Sequence, residues 1–245
     1  MRSLVFLALL TIAAAHPVRD GFDVGKRSPV SIAKNGSSSP PPTLPTDGGN
    51  GIHITSEVIL AVSPEAKSCD NAQFPDECRT AKDAAPFVND SFDRFNITTK
   101  PEAAAILSLM LLESGGFRFN IHHFPSLNHG QGTRNMMNFK FILEYAHDVL
   151  LVNGQNDPSL PPISNADIVN NTVKDNVLEK VLGNDFSFAT GAWFYQKQCD
   201  NATKQAVRSG SEDGWRQYIE HCVNTTVTED RLDGWNKTTQ ALLSS

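Results

Sequence analysis

"TTKPEAAAILSLMLLESGGF", residues 98–117, is the stretch on which the reading of this chain turns. Its middle has no polar face, because residues 103–112 are apolar except for Ser108. A helix apolar all round is one buried on every side. The ends carry helix signals. Thr98 or Thr99 can cap the start, Pro101 suits the first turn, and Glu102 favours the positive end of the helix dipole. Gly115-Gly116 stops it. Glu113 falls in the last turn. Met110, Leu109 and Ile106 stand three, four and seven residues before it, so Glu113 continues an apolar stripe. Burial and the negative helix end both disfavour its charge, and a carboxyl that keeps its proton can act as a general acid. The bland alternative is a carboxylate that turns into solvent or pairs with Arg118 or Arg134.

Outward from this helix, most of the chain also reads as helix. The candidate segments are residues 79–90, 138–151, 165–183, 186–199, 212–222 and 229–243. Segment 138–151 is amphipathic, 165–183 opens at Asn165 or Asp167 and closes at Gly183, and 186–199 is rich in aromatics. Strand-like alternation is scarce, enough for one or two short strands. The class is mainly α, with a single helical domain over residues 52–245.

Before that domain the composition changes. Residues 1–15 read as a secretory signal peptide, with one basic residue, an apolar run and small residues before a cut after Ala15. Residues 16–27 end in the dibasic pair Lys26-Arg27 and read as a propeptide. Residues 28–51, rich in Ser, Pro and Gly, read as a disordered linker arm. No later stretch supplies the about 20 apolar residues a membrane span needs, so the expectation is a secreted, extracellular protein. The cysteine number agrees, with Cys69, Cys78, Cys199 and Cys222 in an oxidising compartment. Three pairings exist, and Cys69–Cys78 with Cys199–Cys222 is preferred because each closes a local loop. Glycosylation sequons begin at Asn35, Asn89, Asn96, Asn170, Asn201, Asn224 and Asn236.

Between the buried helix and the next one lies "NIHHFPSLNHGQGTRNMM", residues 120–137, a long polar loop punctuated by Gly130 and Gly132. Long loops without regular structure are often functional. The order of buried helix, Glu, Gly-rich loop and amphipathic helix resembles lysozyme-like folds, specifically the soluble lytic transglycosylase and goose-type lysozyme group. "ESGGF", Glu113 to Phe117, matches that family's Glu-bearing motif, and "GQGTRNMM", Gly130 to Met137, approximates its second. "TGAWFYQ", Thr190 to Gln196, is the nearest counterpart of its third. The likeness covers roughly residues 100–150 and carries a fungal-type secreted flavour from the dibasic site and sequons.

The resemblance implies a glycosidase that acts on β-1,4 bonds of N-acetylated, peptidoglycan-type cell-wall polysaccharide with a single Glu. Glu113 is then the acid. Gln131, Arg134 and Asn135 contact sugar hydroxyls or acetamido groups, and Tyr195 is the cleft tyrosine. Trp193 reads first as core packing. A second carboxylate is harder to name. Glu144 and Asp148 have the spacing of a solvated face, while Asp76 and Glu77, beside Cys78, are within reach of the cleft.

Other chemistries have less support. His122, His123 and His129 crowd the loop, but no carboxylate stands at ligand spacing, so no metal and no cofactor are expected. Ser114 lacks a G-x-S-x-G elbow. The mildly acidic chain has no basic run, which argues against nucleic acid. The expected partner is a cell-wall glycan or oligosaccharide, bound by a monomer away from membranes. The competing reading is a non-catalytic carbohydrate-binding or effector-like protein on the same scaffold.

Overall fold

The computed structural model describes residues 51–244. The signal-peptide segment, the dibasic site, all but the last residue of the linker, and Asn35 lie outside the described residues.

Helix α1 (Ser56–Val62) and helix α2 (Ala81–Arg94) lead into helix α3 (Lys100–Glu113), which is the centre of the larger core. The end signals of α3 act as its sequence suggests. Thr99 accepts the Glu102 N–H while the Glu102 side chain accepts the Thr99 N–H, a capping box worth about 1 kcal/mol. Every residue from Glu102 to Leu111 is buried. The helix stops where the Gly116 N–H bonds the Leu111 carbonyl, with Gly115 and Gly116 at φ +56° and +67°.

Helix α4 (Phe139–Val149) starts a second apolar cluster, in which Tyr145 and Trp193 meet edge to face at 5.1 Å. It ends two residues earlier than the sequence suggests. Leu151–Val152 pairs antiparallel with Gln155–Asn156 as strands β1 and β2 around Asn153-Gly154. Both turn residues have positive φ, the conformation that an Asn-Gly pair supplies to a tight hairpin.

Helix α5 (Asn171–Glu179) is shorter than the expected 165–183, because Asn170 is extended and its side chain caps the Val173 N–H. The segment 186–199 divides into α6 (Asn184–Ser187) and α7 (Thr190–Gln198), where the Thr190 hydroxyl donates to the Ser187 carbonyl. Helices α8 (Asn201–Arg208) and α9 (Glu212–Gln217) follow. The end of the 212–222 segment is a π turn, Tyr218–Cys222. Helix α10 (Glu229–Leu243) returns along α3 and also packs on α1. Helices α1 and α8 were not expected from the sequence, being only seven and eight residues long.

The disulfides are Cys69–Cys78 and Cys199–Cys222, the two local pairings preferred from the sequence, with Cα atoms 5.8 and 5.1 Å apart. The second ties the end of α7 to the π turn. Among the described residues no helix is long and apolar enough to cross a membrane.

Candidate functional site

The C-terminal end of α3 is where the sequence places its decisive carboxylate, and it borders a surface groove of about 280 Å³. Helix α3 supplies Ser108, Leu111 and Leu112 as one wall, and the turn after α1 and helix α10 supply the others. The volume is at the low end of the roughly 300–1,000 Å³ of ligand sites, the scale of one sugar ring rather than a long chain. An adjoining crevice, too tight for a water, shares Ser108 and Leu112 with the groove and is closed by Trp215, Ile219 and Arg231.

Glu113 itself is half-buried, with 27% of its side chain exposed, and pairs with Arg231 of α10 at 2.8 Å. One oxygen, Oε1, accepts the guanidinium N–H, and Oε2 accepts nothing among the described residues. An oxygen engaged this way is an acceptor, the reverse of a proton donor to a glycosidic oxygen. Burial, followed by the Glu113 charge, pushes the phenol of nearby Tyr218 up.

The fully buried carboxylate on α3 is Glu102, not Glu113. It is 0% exposed and accepts Arg208 Nε at 2.8 Å, Thr99 Oγ1 at 2.9 Å and the Tyr195 hydroxyl at 3.3 Å. The sequence reading gave Glu102 only a dipole role.

The expected sugar-contacting residues do not gather around Glu113. Tyr195 is wholly buried and bonds Glu102, eleven residues before Glu113 and roughly 16 Å away along the helix axis. Burial first, then the Glu102 charge, push its phenol up. Arg134 is also fully buried. Its guanidinium donates to the carbonyls of Phe117 and Phe119 at 3.0 Å each and of Glu77 at 2.7 Å. It lies over the Phe188 ring, 4.8 Å from the centroid. These enclosed side chains offer no surface to a polysaccharide; Arg134 clamps the loop after α3. Burial opposes its charge, as does Arg79, while Glu77 favours it. Gln131 and Asn135 are half-buried and turned to their own loop, Gln131 bonding the Met136 carbonyl and Asn135 the Thr133 hydroxyl.

The loop is correspondingly well anchored. Glu77 accepts the N–H groups of Asn120 and Ile121 at 2.6 and 3.0 Å, and meets His123 Nε2 at 2.6 Å. The His123 ring stacks on Phe74 at 3.6 Å, and His129 pairs with Asp175 at 2.7 Å. Glu77 is thus an anchor of the loop. Asp148 accepts the Trp193 indole N–H at 2.9 Å and pairs with Lys197, which places Trp193 in the core. Trp215 and Trp235 stack on each other at 5.2 Å.

Of the sequons, Asn96, Asn170, Asn201, Asn224 and Asn236 are exposed. Asn89 differs. Its Nδ2, the atom a glycan would occupy, donates to the carbonyls of Ile54 and Ala85 at 2.8 and 2.9 Å. A glycan there would remove one of those bonds, so Asn89 is a tie between α2 and the chain before α1.

The groove's other walls were not legible as a site. Glu65, Asp230 and Asp233 stand on its rim with Lys237. No known protein family matches the chain, and no solved structure matches it. It is 34% identical over 152 residues to a bifunctional dioxygenase (DOX)-epoxy alcohol synthase (EAS) of Fusarium oxysporum (strain Fo5176). The match takes in 61% of this chain and 11% of that relative, so the chain spans about a ninth of the curated protein it resembles.

Proposed function

We propose that the protein is a secreted glycan-binding protein on a lysozyme-like helical scaffold, with the groove at the end of α3 as its sugar site. The observation that carries this reading is the Glu113–Arg231 pair. It holds Glu113 Oε1 as an acceptor at the C-terminal end of α3, the end whose Leu112 and Gly115 line the groove. The two local disulfides and the exposed sequons support an extracellular setting.

Cleavage of β-1,4 bonds by Glu113 is the second reading, favoured by the half-buried position of that carboxylate at the helix end that also borders the groove. It requires Glu113 to donate a proton from Oε2, the oxygen that Arg231 leaves unengaged. The kinship with a segment of the Fusarium dioxygenase-epoxy alcohol synthase supports a module that recurs within a longer fungal chain. That protein's two activities are not assigned to a chain spanning 11% of it.

Calorimetric titration of the full secreted protein with oligosaccharides from peptidoglycan, chitin and chitosan tests the proposal. Saturable binding that weakens in Leu112→Arg, which narrows the groove, is expected. A correctly folded protein that binds none of the three refutes it.

A further inference from the structure

We infer that the tip of the loop between α3 and α4, residues 122–131, is a strap held by two histidine–carboxylate latches that are tight at mildly acid pH and slacken as the pH rises. Three of the chain's seven histidines, His122, His123 and His129, fall within it. The tip is a small unit closed on itself. The His122 N–H bonds the Gln131 carbonyl, and the Asn128 N–H bonds the His122 carbonyl. Among the described residues, its hydrogen bonds to other elements all end on two carboxylates, and each of those carboxylates meets a histidine. Glu77, in the Cys69–Cys78 loop, meets His123 Nε2 through Oε1 at 2.6 Å. Its Oε2 accepts the N–H groups of Asn120 and Ile121, where the chain enters the tip. Asp175, on α5, meets His129 Nδ1 through Oδ2 at 2.7 Å, and its Oδ1 accepts the Gly130 N–H at 3.1 Å. The same fork is thus built twice, with one oxygen for the backbone and one for an imidazole.

An imidazole is the side chain whose ordinary charge change falls between about pH 5 and 8. The other charged groups around the latches belong to types that ordinarily titrate outside that range. At His123 they are Glu77 and Arg134, whose guanidinium donates to the Glu77 carbonyl, with Asp76 and Arg79 on the same segment. The rings packed on His123, those of Phe74, Phe119 and Phe124, carry no charge. At His129 they are Asp175 and Lys174 of α5, and the start of α4 brings the uncharged Phe139 beside Gly130. A protonated imidazole facing a carboxylate makes a charge-assisted bond, stronger than the neutral one left after deprotonation. Each latch therefore contributes most while its histidine is charged, and part of that contribution is lost as pH rises through the histidine range. The Phe74 face, 3.6 Å from the His123 ring, adds to the preference for the charged form. The backbone favours release. Just past the tip, Thr133 is a fully buried β-branched residue at φ +67°, and Met136 follows at φ +48°. Such conformations are strained and persist only where the surroundings hold them. The strap covers apolar surface: a Cβ on Gly130 would lie 2.6 Å from Phe139, and one on Gly132 3.0 Å from Leu178. Both side chains belong to the second apolar cluster.

The test is amide hydrogen exchange of the whole chain at about pH 5.5 and about pH 8, the two sides of the histidine range, with each rate divided by its intrinsic value at that pH. It compares the wild type with His123→Gln/His129→Gln, and NMR follows the imidazole protons of the wild type over the same range. Protection of residues 122–131 is expected to fall on the order of tenfold from the lower pH to the higher, the scale of two partly exposed ion pairs. The fall should keep step with the titration of the two imidazoles, while the amides of α3 keep their protection. In the double variant the fall should disappear. Should that variant not fold, the wild-type profile and the imidazole titration decide. Tip protection that is equal at the two pH values, or that falls out of step with both imidazoles, overturns the inference. So does a fall that persists in the double variant, or one that α3 shares equally, which marks general unfolding rather than a strap.

Discussion

Replacing Arg134 should unfold the loop after α3 from its anchors. The guanidinium is fully buried and spans three carbonyls, those of Phe117, Phe119 and Glu77, so it joins the Cys69–Cys78 loop to the exit of α3. Each charge-assisted hydrogen bond contributes roughly 1.5–3 kcal/mol in isolation, but three bonds from one group are not additive. Arg134→Met keeps much of the packing over Phe188 while orphaning the carbonyls. Each buried carbonyl left unpaired costs about 1–3 kcal/mol, and for three that share one donor about 4 kcal/mol is the working figure. For a domain of this size 1 kcal/mol moves Tm by about 2–4 °C, so Tm should fall by about 8–16 °C. Arg134→Lys keeps a charge but not the fork and should fall about half as far. Differential scanning calorimetry at neutral pH measures both. An Arg134→Met protein melting within 2 °C of wild type would show that the clamp contributes little and that burial of Arg134 is incidental.

Removing the Cys199–Cys222 bridge by paired Ser substitutions should cost about 3 kcal/mol, since it closes a loop of 23 residues; urea unfolding under identical conditions checks it. Gly234→Ala should stabilise by about 0.5–1 kcal/mol, because the added methyl group meets nothing and the helix gains propensity; an unchanged or lower Tm contradicts that. Asp157 is held at about 2 by Ser159, through its hydroxyl and backbone N–H, and by Lys180. Its folded value lies below the unfolded one. Its contribution is therefore present above about pH 4 and lost as pH falls toward 2. The hairpin after α4 should loosen in that window, seen as faster amide exchange at residues 150–157, and Asp157→Asn should remove the pH dependence.

What could be read beforehand was what is local. Helix α3 announces itself because ten residues leave no polar face and both ends carry stop and start chemistry. The disulfides follow from short loops. The hairpin was missed although Asn153-Gly154 signalled it, because the apolar run of α4 continues into Leu150 and Leu151. Glu113's position was legible, but its partner was not. Arg231 is 118 residues further on, and no spacing rule connects a helix end to the start of the last helix. Arg134 was expected to contact sugar because its loop, Gly130 to Met137, resembles the cleft-lining motif of the lytic transglycosylase group. Thr133 at φ +67° and Met136 at φ +48° belong to the tight turns around it, and the side chain ends inside the protein. Tyr195 likewise answers to Glu102, 93 residues away. The groove was invisible for the same reason, being assembled from α3, α10 and the turn after α1.

The central proposal is that Glu113, paired with Arg231, is a fixed acceptor and not a catalytic acid. Its most direct test is mass analysis of peptidoglycan, chitin hexamer and chitosan hexamer after prolonged incubation with wild type and with Glu113→Gln. The account predicts intact oligomers with both proteins. Shortened or anhydro products from wild type, and none from Glu113→Gln, would contradict it and make Glu113 the acid of a glycan-cleaving enzyme.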